Sequence, residues 1–238
     1  MLIKTKAIVL SALKYQEKSL IVKCFTESDG LKSYFVHNAF SSSKTASRKI
    51  AYFQPLTILE IEASHKNKGT LETFKEIRLS SPFATVAADI SKSTIALFLS
   101  ELLHHSIREE EKNPDLFAFL ETALLWLDHH DEVANFHLVT LLQMTKFLGF
   151  YPANRQDGEN YFDMVEGFFT ELPGMNALDA SETELVSRLL PLRFENGQGI
   201  FSASERRRLL KILIDYYALH LEGFRRPKSL EVLQQIFV

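Results

Sequence analysis

The hydrophobic pattern of this chain changes its period once, close to residue 80. Residues 1–80 contain short β-branched or aromatic runs bounded by polar or glycine-containing breaks, which is typical of strands. From Asp89 onward, apolar residues recur at the period of an amphipathic helix. Ser81-Pro82-Phe83 lies between the two patterns. We therefore predict an α+β chain with two domains, 1–80 and 81–238.

The first domain is predicted to contain five strands. Glycine-containing turns at 28–30 and 66–69 join two pairs of them, because glycine supplies the positive φ that tight turns require. The connection 38–50 is long, polar and rich in Ser and Lys, and it falls where an OB-type barrel makes its crossover. The sequence thus predicts a five-stranded OB-fold barrel, with its strands at 3–13, 19–26, 31–37, 52–63 and 70–79.

The second domain is predicted to be all-helical, apart from one insert. Apolar residues follow helical spacing up to Gly149, which is expected to end a helix. Two capping boxes, beginning at Ser181 and Ser202, predict further helix starts, and a last helix covers 229–237. The segment from about 154 to 180 is rich in Asp, Gly, Asn and aromatic residues. It is predicted to be an irregular insert or a short hairpin.

The net charge of −3 conceals two parts of opposite sign. Residues 1–80 contain 13 Lys and Arg against 7 Asp and Glu, so their net charge is +6, and residues 81–238 carry −9. A small basic β domain beside a larger acidic helical one suggests that the first binds a polyanion and the second another partner.

The basic residues of the β domain are interleaved with aromatic ones. Single-stranded nucleic acid requires both, since cations neutralise phosphate and ring faces accept unstacked bases. A solvated surface above a core of aromatic rings would give the same composition, and this alternative stays open. The candidate DNA-binding residues are Lys6, Lys14, Lys32, Tyr34, Lys44, Arg48, Lys49, Lys66 and Lys68.

Signals for catalysis, metal binding and membrane insertion are missing from the sequence. No Gly-rich phosphate loop, nucleophile elbow or HExxH motif occurs, so no catalytic residue and no cofactor is predicted. Adjacent histidines on a helix point about 100° apart and cannot share one metal. Cys24 is the only cysteine, which fits a reducing cytoplasm. No apolar run approaches the roughly 20 residues of a membrane span.

The order of short motifs resembles one bacterial family, that of the recombination mediator RecO. Each motif is weak alone, but their order and spacing cover nearly the whole chain. The motifs are Lys6-Ala7-Ile8-Val9-Leu10, Tyr15-Gln16-Glu17-Lys18-Ser19-Leu20-Ile21-Val22, Gly30, Phe53-Gln54-Pro55-Leu56, Leu71-Glu72-Thr73-Phe74-Lys75-Glu76, Leu148-Gly149-Phe150-Tyr151-Pro152 and Pro227-Lys228-Ser229-Leu230-Glu231-Val232-Leu233.

The resemblance implies an OB-fold followed by a helical domain without enzymatic activity. It implies binding to single- and double-stranded DNA, annealing of complementary strands, and contact with the acidic C-terminal tail of single-stranded DNA-binding protein (SSB). It also implies cooperation with RecR, and through it with the RecA recombinase, and a cytoplasmic location on the nucleoid. All of this rests on analogy.

Two departures from the family pattern are visible. Many members carry two CxxC pairs that form a zinc site, but residues 154–170 contain no cysteine, so no zinc is expected there. The aromatic residues of this segment are expected to pack it instead. The Lys-Gly that usually follows the third strand in the family is His37-Asn38 in this chain, so a cation commonly present there is lost or depends on pH.

An acidic tail with an apolar end requires a hydrophobic groove rimmed by cations. Because the helical domain is acidic overall, its cations must be clustered to attract such a tail. Pairing of these cations with neighbouring carboxylates of the same chain is the alternative. The candidate partner-binding residues are Lys146, Arg155, Arg206, Arg207 and Arg208.

Three functions therefore compete. The leading hypothesis is a non-enzymatic mediator that binds and anneals DNA. The second is a protein-binding adaptor with an OB-like domain and no direct role on DNA. The third is a hydrolase with an unrecognised site.

Overall fold

The computed structural model describes residues 2–40, 50–66, 70–107, 112–196 and 199–237. Its N-terminal part is an antiparallel sheet in the order β3-β2-β1-β4-β5. The predicted positions of these strands are largely correct. The strands are β1 (Leu2–Tyr15), β2 (Ser19–Thr26), β3 (Gly30–Val36), β4 (Ile58–Ser64) and β5 (Thr73–Leu79).

The sheet closes into a barrel through a parallel bridge between Tyr34 and Glu72. The amide of Phe35 donates to the carbonyl of Glu72 at 2.9 Å, and the amide of Glu72 donates to the carbonyl of Ser33 at 2.8 Å. This bridge joins the two edges of the sheet, β3 and the start of the β5 segment, as in a closed barrel. The predicted five-stranded OB-fold barrel is therefore confirmed. Its core contains Ala7, Val9, Leu20, Val22, Cys24, Tyr34, Val36, Ala39, Phe53, Leu59, Ile61 and Ala63.

The predicted fourth strand is too long at its start. Ile50 to Tyr52 is helical, and the strand begins at Ile58. Pro55 cannot donate a ladder hydrogen bond, and Leu56 has a φ of 60°, which reverses the chain before pairing begins. The Leu56 amide then donates to the carbonyl of Val9 at 2.8 Å, which fixes this reversal against β1.

The C-terminal part is helical, as predicted. The Gly149 cap has a φ of 88°, and the capping box of Ser202 and Glu205 is present. The box predicted at Ser181 is wrong by two residues, because Asp179 caps that helix by accepting from the Glu182 amide at 2.8 Å. The helices are α1 (Ile90–Ser106), α2 (Pro114–His129), α3 (Phe136–Leu148), α4 (Ala180–Leu189), α5 (Ala203–His220) and α6 (Leu230–Ile236).

The predicted insert contains a short hairpin of β6 (Tyr161–Asp163) and β7 (Phe168–Thr170). Phe162 and Phe169 are buried with their ring centroids 4.9 Å apart, whereas Phe168 is exposed. Aromatic packing therefore holds this segment together, but only part of its aromatic set takes part.

Two compact units are present, and each is described by itself. One contains residues 1–129 with 227–229, and the other contains 130–226 with 230–238. The division predicted at residue 80 follows the change from strand to helix, and it stays a prediction. Among the described helices, none is long and apolar enough to cross a membrane.

Candidate nucleic-acid interface

A row of apolar and aromatic side chains crosses the outer face of the barrel. Leu13 pairs with Ile21, and Ile21 pairs with Phe35, so these three residues lie side by side on β1, β2 and β3. Tyr15 meets Phe35 edge to face at 5.8 Å, and Phe35 meets His37 at 4.4 Å between ring centroids. We call Leu13, Tyr15, Ile21, Phe35 and His37 the aromatic strip.

Lysines lie near the aromatic strip in the sequence, but Lys14, between Leu13 and Tyr15 of β1, points to the opposite face of the sheet. The Lys14 ammonium is 5.5 Å from the ring centroid of the exposed Phe40, and the Phe40 amide donates to the carbonyl of Lys18 at 3.4 Å. Lys23 follows Ile21 by two positions in β2, so it belongs to the same face of the sheet. In OB-folds the face of the second and third strands binds oligonucleotides. The aromatic strip thus combines ring faces with positive charge at the place where this fold binds single strands.

Tyr34, predicted to stack a base, lies in the barrel core. It is fully buried, its ring stacks on Phe74 at 4.0 Å, and its hydroxyl lies 2.7 Å from Nε2 of His65. Nδ1 of His65 in turn lies 3.2 Å from a carboxylate oxygen of Asp29. Burial raises the pKa of the Tyr34 hydroxyl, which stays protonated. In this structure its ring face is covered and its polar group is used internally.

The predicted lysines of the barrel lie in different environments. Lys32 is buried on the inner side of β3, next to the core. Lys6 donates to both carboxylate oxygens of Glu121, at 2.8 and 3.1 Å, and this hydrogen bond raises its pKa. Lys14 and Lys66 have exposed side chains. The remaining predicted residues, Lys44, Arg48, Lys49 and Lys68, lie outside the described residues.

The three arginines at the start of α5 have different surroundings. Arg206 turns inward, where its Nη1 donates to the carbonyl of Phe201 at 2.7 Å and burial lowers its pKa. Arg208 donates to the Ser181 hydroxyl at 2.7 Å and lies 3.8 Å from Glu182. Arg207 is exposed, and no hydrogen bond or ion pair is recorded for it among the described residues.

The two other predicted partner-binding cations differ from each other as well. Arg155 donates to Glu184 at 2.7 Å and to the carbonyl of Glu159 at 2.6 Å, so it holds the insert together. Lys146 lies 4.4 Å from the ring centroid of Tyr151 and donates to the Gln143 amide oxygen at 2.7 Å. Desolvation, aided by Arg193, lowers the pKa of Lys146, which is nevertheless exposed.

Sequence reasoning missed the aromatic strip, because both faces of β3 carry apolar or aromatic side chains. Residues that alternate along a strand point to opposite faces, so one residue decides whether Tyr34 or Phe35 faces outward. As for metals, no group of three or more His, Cys, Asp or Glu residues in the described ranges could hold an ion.

Comparison with known proteins agrees with this architecture. Residues 1–83 match the family model "Recombination protein O N terminal", and residues 87–231 match "Recombination protein O C terminal". The chain is 63% identical over 237 residues to the DNA repair protein RecO of Flavobacterium johnsoniae, and 60% identical over 238 residues to that of Flavobacterium psychrophilum. The RecO of Bacteroides fragilis is 41% identical over 244 residues. Each of these three alignments with a relative covers 100% of both chains. This chain therefore belongs to the RecO family of DNA repair and recombination proteins.

Proposed function

We propose that this chain is a non-enzymatic recombination mediator. It binds single- and double-stranded DNA, anneals complementary strands, and assists the loading of RecA onto DNA coated with SSB. The observation that carries this proposal is the aromatic strip on the outer face of β1, β2 and β3, with Lys23 on the same face. The relatives named as DNA repair proteins support the same role.

Two physical terms contribute to DNA binding. Stacking of unpaired bases on Tyr15 and Phe35 contributes about 1–3 kcal/mol per base and depends little on sequence. Neutralisation of phosphates releases counterions, which makes the affinity depend on salt. Lys14 and Lys66 are exposed for this second role, and we retain Lys44, Arg48, Lys49 and Lys68 as proposed contacts.

Lys6, Lys32 and Tyr34 are weaker members of the proposed interface. The charge of Lys6 is matched by Glu121, Lys32 is buried, and the ring of Tyr34 is covered. DNA could use them only after these contacts had been broken. We therefore place the centre of the interface on the aromatic strip.

For the helical domain we propose binding of the acidic SSB tail, with RecR and, indirectly, RecA as further partners. Lys146 and Arg207 are exposed and are the cations best placed to meet a carboxylate-rich peptide. Arg155, Arg206 and Arg208 already contact groups of their own chain. We expect the protein to work in the cytoplasm on the nucleoid.

The proposal is tested by titrating labelled single-stranded and double-stranded oligonucleotides at two salt concentrations. We expect binding to both, with an affinity that falls as salt rises, and a preference for single strands if stacking contributes. Annealing of two complementary labelled strands is followed in the same assay. Failure to bind either oligonucleotide at low salt would instead favour the protein-binding adaptor.

A further inference from the structure

The β6–β7 hairpin is a rigid platform of the second compact unit. The Phe162 amide donates to the Thr183 hydroxyl at 3.0 Å, and Nε2 of His220 donates to the Met164 carbonyl at 3.0 Å. Gly167 lies so close to α5 that a Cβ there would stand 2.6 Å from the Tyr216 hydroxyl. These contacts fix the orientation of the residues that the hairpin presents outward.

Large apolar side chains are exposed on this platform. Val165 is 42% exposed, Phe168 43%, Leu172 79% and Met175 100%. The Met164 amide donates to the Asn176 carbonyl at 3.1 Å, which holds the segment carrying Met175 against β6. Exposed apolar residues scattered singly are ordinary, but four of them within residues 165–175 point to an interaction surface.

The sequence around these residues is acidic. Residues 156–187 contain eight carboxylates and no Lys or Arg. Arg155 pairs with Glu184, and Arg208 approaches Asp179 and Glu182, so part of this charge is matched. Glu166 follows Val165 and Glu171 precedes Leu172, and among the described residues neither glutamate has an ion pair. A surface of this charge repels phosphate and anionic lipid headgroups.

We propose that Val165, Phe168, Leu172 and Met175, with Glu166 and Glu171, form a docking surface for a basic, amphipathic segment of a partner protein. The apolar side chains of the partner cover the exposed ones, while its Lys or Arg residues meet the two unpaired carboxylates. Complementary charge speeds the encounter and excludes acidic partners. The residues of the aromatic strip belong to the other compact unit, so substitutions in this surface leave them unchanged.

The test uses the full chain and a labelled helical peptide of about 18 residues, with leucines on one face and lysines on the other. An otherwise identical peptide with Glu in place of Lys is the control ligand. Fluorescence anisotropy at two salt concentrations is measured for L172S/M175S and for E166K/E171K. The matched control variants are Val232→Ser, which changes another exposed apolar residue, and E195K/E231K, which reverses two exposed carboxylates outside the segment.

We expect salt-dependent binding of the basic peptide, weakened about tenfold by each double variant of the surface and unchanged by the control variants. The acidic peptide should not bind. Equal loss in E195K/E231K and E166K/E171K would overturn the proposal, because general charge would then explain binding. A dimer that L172S/M175S converts to a monomer would also overturn it, since the surface would then join two copies of this chain. Single-stranded DNA binding of L172S/M175S should equal that of the unmodified chain.

Discussion

Tyr34 and Phe35 are consecutive residues of β3 whose rings lie on opposite sides of the barrel wall. The ring of Tyr34 stacks on Phe74 inside the core, and the ring of Phe35 meets Tyr15 and His37 outside it. The inner ring therefore contributes to stability, whereas only the outer one is accessible to a base. A substitution at Phe35 should therefore affect DNA binding, whereas one at Tyr34 should affect stability.

Phe35→Ala should weaken single-stranded DNA binding by about 1–3 kcal/mol, because one stacking platform is removed. Tyr34→Phe should leave DNA binding unchanged but lower the free energy of unfolding by about 1–3 kcal/mol, because His65 loses a buried hydrogen-bond partner. Anisotropy titration and urea denaturation measure the two effects on the same preparations. An unchanged DNA affinity in Phe35→Ala would contradict the placement of the interface.

More of the fold than of the candidate site could be predicted from the sequence, for a physical reason. The positions of β2 and of the Gly149 cap follow from local pattern and backbone freedom, which the sequence carries directly. The start of β4 could not be predicted, because it depends on a reversal at Leu56 that is fixed by contact with β1. A positive φ is rare for leucine, and nothing in the local sequence signals it.

The two faces of β3 explain why the sequence-based prediction named Tyr34 as a DNA-binding residue instead of its neighbour Phe35. Both faces carry apolar or aromatic side chains, so composition cannot tell which of them faces the core. At the His37-Asn38 departure from the family pattern, the backbone can be compared with that of a glycine. Asn38 has a φ of 51°, a conformation that Asn tolerates better than most residues, so the turn geometry that a glycine would give is retained.

Charge reversal at Lys44, Arg48 and Lys49 together should weaken DNA binding and flatten its dependence on salt. Each phosphate contact that is lost removes about one unit from the slope of log K against log salt. The measurement is an oligonucleotide titration at several salt concentrations. Reversal of Lys4 and Arg78, which pair with Glu62 and Glu76 on the barrel, serves as the control. An unchanged slope in the triple variant would place the DNA surface elsewhere on the chain.

Arg207→Ala should weaken binding of a labelled peptide with the sequence of the SSB tail, because its guanidinium is exposed and has no partner recorded in the described part of the chain. Arg208→Ala should have a smaller effect, since Ser181 and Glu182 already engage that side chain. Loss of one exposed charge contact costs roughly 1 kcal/mol or less. Equal affinity of the unmodified chain and a variant with all three arginines changed to Ala would show that the tail binds elsewhere.

Glu205→Gln should destabilise the protein at neutral pH, and the difference should shrink in acid. Glu205 accepts from the Ser202 amide and from Arg188, each at 2.7 Å, and these bonds lower its pKa from 4.5 to about 2. A lowered pKa means that the ionised form stabilises the fold above pH 4.5, and that this contribution disappears as pH falls through 2. Urea denaturation between pH 7 and pH 3 measures the difference, with the exposed Glu195→Gln as control. A difference that does not depend on pH would argue against the ionised capping box.

His137 gives the stability of the helical unit a dependence on pH. Its side chain is buried, its Nδ1 has no hydrogen-bond partner among the described residues, and the ring of Phe237 lies 5.2 Å away. Burial, together with the charge of Arg206, lowers its pKa from 6.5 to about 3. The folded protein therefore holds this imidazole neutral, whereas the unfolded chain takes up a proton below pH 6.5.

It follows that the free energy of unfolding should decrease as pH falls from 6.5 towards 3, by up to about 1.4 kcal/mol per pH unit from this residue. His137→Gln removes the titrating group, so its stability should decline less steeply over this range, even if it starts lower at pH 7. His104, whose pKa burial lowers to about 4, is present in both proteins, so the difference between them isolates His137. The exposed His129→Gln should retain the steep decline of the unmodified chain, and a slope equally steep in His137→Gln would show that this imidazole is protonated in the folded state.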